Sequence, residues 1–260
     1  MKYAALFMLV ALLATGCSED DNPASHSQDA IIQVIHNSPS GAAAVVDVYL
    51  NDGASPAIDD FGFQTATGLI SLTEGAYTIG IAPGNSTGPG DIIASFGPVQ
   101  LAPGSQTVIM AAGELGTDFD LFFNDLVTSA TAGQVGLLAF HGSPDAPTVD
   151  VTAEGVGVVI AALEYQTFQG YLEVPEGDYV FGAGPTGDDP IAQYDVPLTG
   201  LAGSTAVVFA SGYLEPAAGD PSFGLFAALN DGTVVEFAEA VFSTEGAITE
   251  VIPKEGVATE

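Results

Sequence analysis

Four side chains able to do chemistry fall within FHGSPDAPTVDV, residues 140–151: His141, Ser143, Asp145 and Asp150. A hydrolase needs a serine hydroxyl, an imidazole to take its proton and a carboxylate to orient that imidazole. A metal site would use the same imidazole and carboxylates as ligands. The spacing favours neither chemistry. Ser143 lacks the Gly-x-Ser-x-Gly elbow that presents a nucleophile between strand and helix. Pro144 follows it and has no N–H to offer an oxyanion. Histidine occurs only at positions 26, 36 and 141, too few for an imidazole-rich zinc site. No residue set is therefore singled out for catalysis or for a metal. The same residues suit a strand-to-strand connection. Pro144 stops the first strand, Asp145 accepts from loop amides and Pro147 stiffens the return. His141 then holds the loop through a carbonyl, and Asp150 accepts from that loop as well.

The chain repeats this stretch. Residues 31–50, IIQVIHNSPSGAAAVVDVYL, align with residues 135–153, VGLLAFHGSPDAPTVDVTA. His36 matches His141, Ser38 matches Ser143, and Asp47 matches Asp150, whereas Ser40-Gly41 stands where the second copy has Asp145-Ala146. Three further segments align at a similar offset: 72–84 with 174–187, 101–115 with 201–214, and 121–125 with 225–231. Two copies of one domain are expected, over residues 30–128 and 129–243.

The elements that must position these side chains read as strands. Short runs rich in Val, Ile, Phe and Tyr, such as IIQVIH, VVDVYL and AYTIGIA, alternate with Gly, Pro, Asn and Asp clusters. In VVDVYL, Val46, Val48 and Leu50 share one face and Val45, Asp47 and Tyr49 the other. EGAY and EGDY read as turns entering a strand, with Gly75 and Gly177 free to take positive φ. The expected fold is all-β: two tandem antiparallel β-sandwich domains of roughly seven strands each, immunoglobulin-like or transthyretin-like in arrangement.

Charge removes several function classes. Asp and Glu number 33 against 2 Lys and Arg, a formal net charge of −31. Such a surface cannot displace counterions from phosphates, so nucleic acid is not a partner, and it is repelled by anionic lipid headgroups. A carboxylate surface does suit solubility in salt, or the gathering of Ca²⁺. The loops NDGASPAIDDFG (51–62) and GPTGDDP (184–190) offer oxygens for Ca²⁺ but lack the twelve-residue EF-hand spacing. A sugar-stacking surface would have to use tyrosine, because the chain has no Trp.

The chain opens with MKYAALFMLVALLATGC, a single lysine followed by an apolar run and small residues before Cys17. This has the shape of a secretory signal, too short for a comfortable membrane span. ATGC resembles the lipobox of bacterial lipoproteins, and that resemblance implies cleavage before Cys17 and a lipid on its sulfur. Cys17 is the single cysteine, so no intramolecular disulfide competes for it. By the same resemblance, Ser18 rather than an Asp at the next position implies sorting to the outer membrane. The expected organisation is a leader over 1–17, a polar tether over 18–29, the two domains, and an acidic tail over 244–260.

The HxSPDAPxVDV opening, the EGxY strand and the closing hairpin region resemble the bacterial domain-of-unknown-function family 4397. Its members are secreted or lipid-anchored and often carry tandem copies. The second copy carries the pattern from His141 through Ser143, Pro144, Asp145, Ala146 and Pro147 to Val149, Asp150 and Val151; the first keeps His36, Ser38, Pro39, Asp47 and Val48. The resemblance implies no activity. The expected role is a lipid-anchored envelope protein that binds or builds without catalysing. Calcium-assisted adhesion or glycan binding is the alternative, and a hydrolase using the His-Ser-Asp motif comes third.

Overall fold

The computed structural model describes residues 28–240, and among them no α-helix occurs. The expected leader (1–17) with Cys17, nearly all of the expected tether (18–29) and the expected tail (244–260) lie outside the described residues.

The first unit contains β1 (Ala30–Asn37), β2 (Val45–Leu50), β3 (Ile58–Gly62), β4 (Thr65–Ala66), β5 (Ile70–Leu72), β6 (Gly75–Pro83), β7 (Ala94–Leu101), β8 (Gln106–Ala112) and β9 (Asp120–Asp125). One sheet runs β4-β1-β8-β9, with β5 also on β1, and the other runs β3-β2-β6-β7. The second unit repeats this plan with β10 (Gln134–His141), β11 (Val149–Ala153), β12 (Gly157–Leu163), β13 (Phe168–Pro175), β14 (Asp178–Pro185), β15 (Ala192–Pro197), β16 (Thr205–Ser211) and β17 (Gly224–Leu229). Two short additions, β18 (Val234–Glu236) and β19 (Ala238–Glu239), extend its sheets to β13-β10-β16-β17-β18 and β12-β11-β14-β15-β19. Each unit is a β-sandwich in which antiparallel pairing dominates. The departure is one parallel pair per unit, β1 on β8 and β10 on β16. Residue alternation reports which face a side chain takes and says nothing of strand direction, so this pairing was not readable beforehand.

The two sandwiches stack face to face. Ile32, Ile109 and Ala111 pack into the first core, while Ile35, Val108 and Met110, on the opposite faces of β1 and β8, meet Leu138, Phe140, Val207 and Phe209 of β10 and β16. Val135, Leu137, Ala206 and Val208 fill the second core from the other face. Strands buried on both faces read as unbroken apolar runs. That is why IIQVIH and QTVIMAA lack a polar side. By contrast β2 alternates as expected, with Val46, Val48 and Leu50 turned into the first core.

Gly75 and Gly177 take φ of 149° and 156° at the entries to β6 and β14. Tyr77 and Tyr179 then donate their hydroxyls back to the carbonyls of Thr73 and Pro175, at 2.7 and 2.8 Å. The two EGxY segments are thus the same corner built twice.

Candidate functional site

His36 is the last residue but one of β1 and His141 ends β10, each only 1% exposed. The Nε2 atoms lie 2.7 Å from the Ala43 carbonyl and 2.9 Å from the Pro147 carbonyl, respectively. A carbonyl only accepts, so Nε2 carries the proton in both rings. Each Nδ1 then accepts from the backbone N–H two residues on, Ser38 or Ser143, at 3.4 Å. Both nitrogens of both rings are occupied by backbone. Burial holds the His36 imidazole down to about 4, the Ala43 carbonyl opposing it only in part. Burial lowers His141 in the same way, against the Pro147 carbonyl. A neutral ring with no free lone pair is neither a general base nor a metal ligand.

The serines are also matched. Ser38 and Ser143 are fully buried and donate their hydroxyls to the Gly113 and Gly212 carbonyls, at 2.6 and 2.7 Å. Gly113 and Gly212 sit at φ of 92° and 75° just beyond β8 and β16. A Cβ on either would strike backbone, the Asp118 oxygen at 2.5 Å or the Ser222 oxygen at 2.2 Å. These glycines were overlooked in the sequence, yet they align within the 101–115 and 201–214 repeat.

The aspartates join segments rather than close their own loop. Asp150 accepts from the Ala162 amide at 2.7 Å and the Gly187 amide at 3.0 Å, so it ties β11 to β12 and to the turn after β14. Those two amides hold its carboxyl below the usual range. Asp47 accepts from the Asp60 amide at 2.9 Å and from the Ser86 hydroxyl at 2.5 Å, and Ser86 is in turn 2.7 Å from the Tyr49 hydroxyl. Burial pushes Asp47 up, but these bonds outweigh it and leave it lowered. The expectation that Asp150 serves the motif loop is corrected: its partners come from β12 and from the turn after β14, whose approach depends on the tertiary fold.

Asp145 takes two amides of the loop after β16, Leu214 and Glu215, each at 2.8 Å. Burial raises its carboxyl, and the two amides more than compensate, so it too is lowered. Within its own loop, where its partners were expected, the Ser143 hydroxyl lies 3.4 Å from its carboxylate, and the two amides about seventy residues away are added to that. The first copy lacks this carboxylate, and a 3-10 turn over Gly41–Ala43 fills its place. There Asp118, from within the loop after β8, accepts from the Glu114 amide at 2.8 Å instead.

Among the described residues, no group of three or more His, Cys, Asp or Glu side chains is placed to hold a metal ion. Residues 28–240 contain no Lys or Arg, so ion pairs with those side chains do not occur there.

The copies differ where they touch. Asn37 donates to the Ala210 carbonyl at 3.0 Å across the interface. A Cβ on Gly142, the counterpart of Asn37, would lie 2.0 Å from the Asn37 amide nitrogen and 2.8 Å from the Ala210 oxygen. Only one of the two facing positions has room for a side chain. Gln64, Gln166 and Tyr213 add further bonds between units, to Ser211 Oγ, the Asp118 carbonyl and Glu114 Oε1.

Two copies of one β-sandwich, each locked by the same His-Ser-Asp connection and packed face to face, define the class of protein. The family model described as Domain of unknown function (DUF4397) matches twice, over residues 30–152 and 136–234, and the chain belongs to this family. The two matches overlap over β10 and the motif that follows it. No curated protein is matched. A solved structure described as alpha-glucan binding by a streptococcal virulence factor is similar at 10% identity, over 69% of this chain and 92% of that one, with a TM-score of 0.24. A likeness of that size carries no argument about a ligand.

Proposed function

We propose that the chain is an outer-membrane lipoprotein, anchored through Cys17, whose paired sandwiches bind or build at the cell envelope without catalysing a reaction. One observation carries the non-catalytic part: in both copies the imidazole nitrogens and the serine hydroxyl are engaged by backbone groups of the fold. A nucleophile and its base would instead face each other and an open site. The anchor is tested by Cys17→Ala, which should move the protein from the membrane fraction to the soluble fraction and abolish palmitate labelling. Retained label would refute it. The motif is tested by screening ester, amide and glycoside substrates; turnover that disappears in Ser143→Ala while the melting temperature holds would restore the hydrolase.

Calcium-assisted adhesion or glycan binding is the second reading. It draws on the crowding of carboxylates along β3, where desolvation and the neighbouring charges of Asp47 and Asp60 raise Asp59. A divalent cation would relieve that repulsion. Calorimetric titration with Ca²⁺ that leaves heat and melting temperature unchanged removes this reading.

A further inference from the structure

The cores of the two sandwiches are filled to different degrees. Between the sheets of the first lies an apolar cavity of about 150 Å³; the corresponding space in the second is about 80 Å³. Aliphatic side chains, among them Val34, Val48, Ile79 and Ile109, line the larger one, and the His36 ring, turned to the Ala43 carbonyl, closes one part of it.

The strands account for the difference. In the second unit one long strand, β13, runs the length of β10 and packs on β12 along that edge of the sandwich. In the first unit the same edge is cut into two fragments, β4 and β5, and β3 makes no comparable contact with either. The gap leaves Ile58 of β3 and Ile70 and Leu72 of β5 half-buried beside Leu50, with Ala57 exposed at the rim. These rim residues also line the cavity. The apolar lining of the cavity thus extends to these less buried positions of β3 and β5.

We propose that the first sandwich binds a small apolar molecule, of the size of one aromatic ring or a short alkyl chain, that enters between β3 and β5 and leaves a neutral or cationic end at the rim. A dry aliphatic cavity of this volume accepts a benzene-sized guest. The polarity of the end follows from charge. Asp52, Asp59 and Glu74 flank the rim-forming segments, and residues 28–240 supply no Lys or Arg to receive an anion. A fatty-acid carboxylate is thereby disfavoured against an alcohol or amine of equal length.

The proposal stands apart from the anchor on Cys17 and from the role of the motif. Its test is titration of the full chain with 1-hexanol, hexylamine and hexanoate, followed by melting temperature and by methyl NMR. Saturable shifts should appear at Ile70, Ile79 and Ile109 with hexanol and hexylamine, together with a rise in melting temperature, and hexanoate should bind at least about tenfold more weakly. Ala111→Leu, which fills the cavity from β8, should abolish the shifts. Ile70→Trp, at the rim, should do the same should the first variant fail to fold. Ala139→Leu in the second sandwich should leave binding intact. Absence of saturable shifts, shifts at Ile160 of the second unit instead, or retention of binding in the folded filling variant overturns the site. Hexanoate binding as tight as hexanol overturns the assignment of the polar end.

Discussion

His36 and His141 work as backbone cross-links, each joining a strand end to the carbonyl that closes the following loop. Removing such a ring strands a buried carbonyl and a buried amide, which costs about 1–3 kcal/mol. His141→Ala should lower unfolding stability by that amount, measured in urea, and an unchanged midpoint would refute the role. The same burial sets a pH response. The folded chain holds His36 at about 4 against an ordinary value of 6.5, so below 6.5 the unfolded chain takes up a proton that the folded chain does not. This contribution is complete above 6.5 and is lost as pH falls to about 4. The lowered aspartates 47, 145 and 150 act further down: their stabilisation is present above the ordinary carboxylate range and is lost as acid takes pH through their depressed values. Melting temperature should therefore begin to fall below 6.5 and fall faster in the carboxylate range; His36→Asn should make only the upper part shallower, leaving the share that the lowered His141 contributes. The histidine bond to a loop carbonyl was legible in the sequence, because the ring, the prolines and the loop are close along the chain. The amides that reach Asp145 and Asp150 were not, because they arrive from β12 and from the loops after β14 and β16, further along the chain.

At the level of elements, the strands and their duplication could be read from alternation and from repeated turns. Alternation alone did not single out the strands that face two cores. The runs in β1, β8, β10 and β16 already carried that information, since an apolar strand without a polar side must be covered twice. The single difference His-Asn-Ser against His-Gly-Ser then becomes a packing rule for the interface. Gly142→Ala should destabilise by about 1–3 kcal/mol, as overpacking does. Pairing it with Asn37→Ala should recover part of the loss, because the Ala210 oxygen still crowds the site. Strict additivity in this double-mutant cycle would show that the two positions do not meet.

For the whole molecule, the described residues hold their shape with carboxylates and no lysine or arginine. Cohesion comes from three stacked apolar layers, two within the sandwiches and one between them. Salt then has repulsion to screen and no such ion pair to weaken. Melting temperature should rise steadily with sodium chloride from about 0.05 to 0.5 M, as the screening length shrinks severalfold. A fall over that range would point to attractive charge pairs.

The missing cations have one more consequence, for digestion. Trypsin cuts after Lys and Arg, and the chain offers it only Lys2 and Lys254. Folded or unfolded, everything between is a single fragment. An organism's trypsin-like proteases would leave both sandwiches whole, and a peptide survey built on trypsin would pass over this protein even where it is abundant. Glu- or Asp-directed cleavage would reveal it, at the 33 carboxylate side chains that give the chain its charge.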